Sequence, residues 1–483
     1  MAQHSNPQRE HRMPRPTPLV FLAVALASPA AAVAQPSTAA PAAAPRAFPP
    51  DTTVLGIIRQ RVDQKRSAGI VVGLLEPDGR TRVLAYGDPG PGRPPLDGHS
   101  VFEIGSVTKV FTATVLAEMV QEGKVRLDDP AQRYLPPNVR MPARSGRAIT
   151  LESLAEQNSG LPRLPDNLHP ADPANPYADY SVQQLYDFLS RYTLPRDPGA
   201  QFEYSNLGVG LLGHLLSRAA RESYEAMERE RVWAPLGMTH TAITLTSWMQ
   251  AHLALGHDEQ GRVVANWDLP TLAGAGAIRS TTDDMLKFVD ANLHPERGTL
   301  QRAMAFARAE RAPAGAMSIG LNWLVVHAGA DTIVWHNGGT GGYRTFVGFE
   351  PSRRTGVVVM TNSGGAGADD LGMHLLDPAL PLAPAPSPPK QRTAVAVSPD
   401  VLARYVGNYR LAPQFTIDVT VKDGALYVHP TDQPTLRLWA ESETEFFLKE
   451  VDAQITFVRD ARGNATGLVL HQNGQDAPAP KAR

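Results

Sequence analysis

A run of prolines divides this chain. Between Pro378 and about Val397 it passes through Pro381-Leu-Ala-Pro-Ala-Pro-Ser-Pro-Pro389, which can neither continue a helix nor lie inside a sheet. The segments on either side of this linker must therefore fold as separate units. The plan is a large domain over 51–377, a linker over 378–397 and a small domain over 398–476, with 477–483 as a tail. A second Ala/Pro-rich stretch, 35–50, reads as a tether ahead of the large domain. With 42% hydrophobic and 19% charged residues, both domains can bury a core.

The N-terminus reads as an address. Arg9, Arg12 and Arg15 precede an apolar run from Leu19 to Ala27, and Ala32-Val33-Ala34 offers a small-x-small cleavage site. Pro29 interrupts an apolar segment already too short to span a bilayer, so a cleaved signal peptide over 1–34 and a periplasmic or secreted bacterial protein are expected. After cleavage no membrane span is expected. The 46 basic and 48 acidic residues give a formal net charge of −2, with no basic stripe to receive nucleic acid. Cysteine is absent, which removes disulfides, thiol nucleophiles and thiolate metal sites. The fourteen histidines include no close ligand pair, so neither a metal nor another cofactor is called for.

The large domain opens with a helix expected over Thr53–Lys65 and a hairpin of strands Gly69–Glu76 and Thr81–Tyr86, turned by Asp78-Gly79. Ser106–Glu122 has helical spacing, as does Gly208–Leu216 after Tyr204–Asn206. Ser280/Thr281 with Asp283 and Asp284 cap a helix over Met285–Asn292. Trp335–Gly342 reads as a turn-rich loop, with glycines on a strand edge, ahead of strands Tyr343–Glu350 and Gly356–Asn362. Beyond the linker only strands are indicated: Phe415–Lys422, Ala425–His429, Leu436–Ala440, Glu445–Lys449, Gln454–Arg459 and Gly467–Gln472. They suit a small antiparallel barrel or sandwich.

Three short elements carry the chemistry. In Ser106-Val107-Thr108-Lys109 the serine and lysine share a helix face, and a desolvated lysine can serve as base to the hydroxyl. The start of that helix also offers the Ser106 N–H to a developing oxyanion. In Tyr204-Ser205-Asn206 the phenol can move a proton, while the amide can hold the lysine and a substrate carbonyl. In His336-Asn337-Gly338-Gly339-Thr340 the glycines let another backbone come close, and Gly339 can supply a second oxyanion N–H.

In this order and spacing the three elements resemble the penicillin-recognising serine hydrolases, in the branch holding class C β-lactamases, DD-carboxypeptidases and related esterases. Phe102–Ser106, Ser159-Gly160-Leu161-Pro162 and Gly274–Asp284 extend the resemblance over most of 51–375. It implies an α/β (α+β) fold of the β-lactamase/transpeptidase type, an antiparallel sheet flanked by helices plus a helical region. The all-β domain resembles the lipocalin-like barrels appended to some relatives. The implied roles are an acylated nucleophile at Ser106, a proton partner at Lys109, an acid/base at Tyr204 and a substrate-orienting amide at Asn206. His336, Asn337, Gly338, Gly339 and Thr340 would line the bound substrate, with His336 able to meet a carboxylate when protonated, and the N–H groups of Ser106 and Gly339 would form the oxyanion hole. His336 stands where many members carry lysine, and the Pro162-Arg163-Leu164 loop lacks the glutamine expected in class C enzymes. The implied partners are small molecules or peptides: β-lactams, D-Ala-type peptides or their esters. A carboxylesterase or D-aminopeptidase using the same site, and a catalytically silent penicillin-binding sensor or binding module, are the alternatives.

Overall fold

The computed structural model describes residues 47–328, 331–365, 367–384, 392–412, 415–431, 435–449, 453–472 and 475–482. The leader expected over 1–34 and most of the tether, 35–46, lie outside them, as does the linker over 385–391.

The large unit is built on an eight-stranded, wholly antiparallel sheet. Its strands are β1 (Gly69–Leu75), β2 (Thr81–Gly87), β3 (Ala312–Ala314), β4 (Met317–Ile319), β5 (Leu324–Ala328), β6 (Asp331–Gly339), β7 (Arg344–Glu350) and β8 (Thr355–Thr361). Their spatial order is β2-β1-β8-β7-β6-β5-β4-β3. Every residue of β1 and β8 is buried, because side chains alternate between two covered faces. Ile70, Val72, Leu74, Val357 and Val359 pack on one face with Val54 and Ile58 of α1 (Asp51–Asp63) and with Leu371 and Leu375 of a helix at Asp369–Leu376. Val71, Leu75, Val358 and Met360 enter the larger core on the other face. There they meet α2 (Thr108–Gln121) through Phe111, and α4 (Thr282–Leu293) through Met285, Phe288 and Val289. Helix α3 (Asn206–Ala220) belongs to the helical region of that second core.

Some expectations need correction. Phe48, placed in the tether by its proline-rich surroundings, is 4% exposed and packs with the core around α1. Ser106 is not in the α-helix: it sits in a 3₁₀ turn, Gly105–Val107, and α2 starts at Thr108. The segment read as a turn-rich loop is strand as far as Gly339. Its pairing with β5 stops at Trp335–Leu324, whereas its pairing with β7 continues to Gly339–Arg344. From His336 onward one edge of β6 is therefore free of a neighbouring strand.

The C-terminal unit is an eight-stranded antiparallel meander from Gly407–Ala412 to Gln475–Pro480. Asp423 (φ 51°) and Gly424 (φ 72°) are both left-handed, as the two-residue hairpin they form requires. Residues 477–483, read as a tail, contain most of the last strand. Pro478 and Pro480 hid it, yet it pairs with Ala465–Gln472, and Ala482 N donates to Asn408 O at 2.8 Å, bringing the last strand to the first. The result is a nearly closed barrel. Tyr405, Tyr409, Phe446 and Phe457 fill its interior. Among the described residues no helix is long and apolar enough to cross a membrane.

Candidate active site

The site forms where the Ile104–Ser106 turn presses against the glycine-rich end of β6. A Cβ on Gly338 would stand 2.0 Å from Ile104 O, and one on Gly105 would stand 2.6 Å from Gly339 N. Gly105 also needs its positive φ of 49° to turn the chain. Only glycines allow this approach, which sets the turn carrying Ser106 directly against the Gly338–Gly339 backbone. Thr345 Oγ1 donates to Ile104 O at 2.9 Å and fixes the contact from the neighbouring strand.

Lys109, one 3₁₀-to-helix turn beyond Ser106, is 0% exposed. Its Nζ lies 2.9 Å from Ser106 Oγ, 2.9 Å from Asn206 Oδ1 and 2.7 Å from Ala275 O. Burial, and then the charge of Arg163, hold its pKa well below the usual lysine value. Asn206 begins α3 after Ser205, whose hydroxyl accepts from Gly208 N at 2.8 Å and so caps the helix. Both ends of the Asn206 amide are engaged: Oδ1 by Lys109, and Nδ2 by donation to Tyr177 OH at 3.3 Å. Tyr204 is half-buried, with Lys109 Nζ 4.9 Å from its ring centre. Desolvation pushes its phenol up to about 12, although Ser106 and Arg163 pull the other way.

Around these groups lies a cleft of about 500 Å³ lined by Ser106, Arg163, Tyr177, Tyr204, Asn206, Trp267, Asn337, Gly338, Gly339, Thr340 and Arg344. Of the sequence-derived residues, the buried Lys109 and His336 do not line it. At 1% exposure His336 backs the cleft wall, its Nδ1 2.6 Å from Asn337 O and its ring centre 6.3 Å from that of Tyr204. Burial first, and then the nearby Lys109, depress its pKa to about 3, so it is neutral across the physiological range and cannot meet a carboxylate as a cation. Asn337 does line the cleft, but its Nδ2 donates to Asp369 Oδ2 at 2.5 Å. Thr340 Oγ1 is buried without a partner among the described residues and is free for a ligand.

Tyr177, Trp267, Arg344 and the Ala275 carbonyl were not found from sequence. Tyr177 lies in an irregular, proline-rich stretch with no periodic signal, and Trp267 meets it with ring centres 5.6 Å apart. Ala275 does fall within the Gly274–Asp284 phrase. Its carbonyl reaches Lys109 because Gly274 packs against Gly213 of α3, where an added Cβ would come within 3.0 Å.

Comparison with known proteins agrees with this geometry. The Beta-lactamase family matches residues 54–380, and the chain belongs to it. A domain of unknown function, DUF3471, matches residues 391–479. The D-alanyl-D-alanine-carboxypeptidase/endopeptidase AmpH of Escherichia coli is 31% identical over 312 residues, covering 60% of this chain and 79% of its own. A β-lactamase of Pseudomonas fluorescens is 28% identical over 347 residues, covering 63% and 93%. The crystal structure of the D-alanine carboxypeptidase AmpC from Burkholderia cenocepacia superposes with a TM-score of 0.56 at 26% identity, covering 65% of this chain and 94% of its own. The chain is a β-lactamase-like serine hydrolase.

Proposed function

We propose that this hydrolase works through an acyl-enzyme on Ser106 and acts on D-Ala-type peptides and the β-lactams that mimic them, outside the cytoplasm. The observation that carries the reading is the buried Lys109 amine within 2.9 Å of the Ser106 hydroxyl. Asn206 Oδ1 and Ala275 O can only accept, so they take two Lys109 N–H groups. A neutral amine then keeps its lone pair for the Ser106 proton. Lys109 is thus the base: Ser106 Oγ bonds to the substrate carbonyl carbon while its proton passes to Nζ. Tyr204, held protonated by its raised pKa, donates to the leaving nitrogen as the C–N bond breaks, and recovers a proton through Lys109. Water then cleaves the ester and restores Ser106. The Ser106 and Gly339 N–H groups hold the oxyanion in both steps.

The similarity to a D-alanyl-D-alanine carboxypeptidase/endopeptidase and to β-lactamases supports this substrate class, and the basic-apolar-small order of residues 1–34 supports export. The test is a panel on one preparation: a fluorescent penicillin, a chromogenic cephalosporin, a D-Ala-D-Ala peptide and a p-nitrophenyl ester. Mass spectrometry is expected to place the penicilloyl adduct on the peptide containing Ser106. Turnover of the p-nitrophenyl ester alone, with no penicillin adduct, would replace this reading with an esterase.

A further inference from the structure

With His336 neutral, the cleft still carries positive charge. Its lining holds two guanidinium groups, Arg163 and Arg344, and no carboxylate. They are held differently. Arg344 Nη1 donates to Thr340 O at 2.8 Å and Tyr343 O at 3.0 Å, so it braces the turn after β6. Arg163 is exposed, and among the described residues no acidic side chain pairs with it. Its backbone is held at the site. Leu207 N donates to Arg163 O at 3.2 Å and Ser205 Oγ to Pro162 O at 2.6 Å, tying the Arg163 loop to the Tyr204–Asn206 element. The guanidinium lies 5.2 Å from the Tyr204 ring centre.

Tyr204 is the proton donor to the departing group, so that group leaves beside Arg163. Resting on the D-Ala-type reading above, we propose that Arg163 is the specificity-determining residue that binds a carboxylate on the substrate's leaving group. An unpaired, planar guanidinium offers the fork that a carboxylate matches. The same charge lowers the pKa of Lys109, so Arg163 acts on both the leaving group and the base.

The test uses the full chain and two esters with one acyl group: N-acetyl-D-alanyl esters of D-lactate and of D-lactamide, whose leaving alcohols differ only in the carboxylate. The wild type is expected to favour the lactate ester. In R163Q the ratio of kcat/KM, lactate over lactamide, should fall about 10- to 100-fold, the range for one charge-assisted contact. R163K should recover part of it, and R344Q should depress both esters alike. A second readout is the acidic limb of the lactamide profile, which R163Q should move to higher pH because Lys109 then holds its proton more tightly. A purely structural role would move neither the ratio nor the limb. A wild-type preference for lactate that survives in R163Q overturns the inference and leaves the D-Ala-type reading standing. Absence of that preference in the wild type overturns both. Neutral fluorophosphonate labelling of Ser106 and a thermal melt confirm that each variant is folded, and R163K supplies the ratio if R163Q is not.

Discussion

The two folded regions bury different things. The large domain places ionisable and polar groups in its interior: Lys109 and Glu228 at 0% exposure and His336 at 1%. The barrel buries rings. Tyr405 and Phe457 stack with centres 4.2 Å apart, and Phe446 meets each of them edge-on. Even its phenols are spent on backbone, with Tyr405 OH donating to Glu443 O at 2.8 Å and Tyr409 OH to Tyr405 O at 2.7 Å. A desolvated amine or carboxyl costs stability and gains reactivity, whereas a filled aromatic interior does the reverse. The first region is organised for chemistry and the second for persistence.

The largest effect tests the chemical side of this contrast. S106A is expected to lower turnover by on the order of 10⁴-fold or more and to abolish probe labelling. Intact labelling would move the nucleophile elsewhere. In the barrel, F457A should cost about 3–5 kcal/mol. If the regions fold independently, calorimetry will show one early transition while Ser106 still acylates; loss of acylation together with that transition would join them. Glu228 offers a third test. Burial raises its pKa to about 8, although the neighbouring Tyr224 hydroxyl pulls the other way. The unfolded chain releases this proton near the usual carboxylate value and the folded chain keeps it until about pH 8. Stability is therefore lost as pH rises through that window. E228Q should remove the loss, on the order of a few kcal/mol by pH 8, so its melting temperature should pull ahead of the wild type between pH 5 and 8. Equal pH dependence in the two would mean that Glu228 is solvated.

G338A comes next. Its Cβ would collide with Ile104 O, a backbone atom that cannot swing away, and the displaced strand should cost about 100-fold in kcat. The smallest effect is a null one. His336 titrates near 3, so the preference for a carboxylate substrate over its methyl ester should not change between pH 5 and 8 on its account. A preference that falls with rising pH would restore the cationic histidine expected from sequence.

The meeting of Ser106, Lys109 and Asn206 was legible because the spacing within each element is local. Ser106 and Lys109 are one turn apart, and Tyr204 stands just ahead of the Asn206 helix, whose cap is written in Ser205. Strand bounds in the barrel, such as Phe415–Lys422 and Leu436–Ala440, were legible for the same reason. What was missed depends on distant contacts. The glycines of β6 look like a loop until Ile104 is known to lie on them. Pro478 and Pro480 argue against a strand until the first strand is seen beside it. The state of His336 was illegible too, since the sequence gives its place in the motif but not its complete burial.

Beyond Trp335 the free edge of β6 can take up another backbone only when that backbone is fully extended, at about 3.3 Å per residue. Helices and the interiors of folded proteins cannot offer that conformation without unravelling first. A substrate that docks along this edge would therefore be selected by its conformation before its composition.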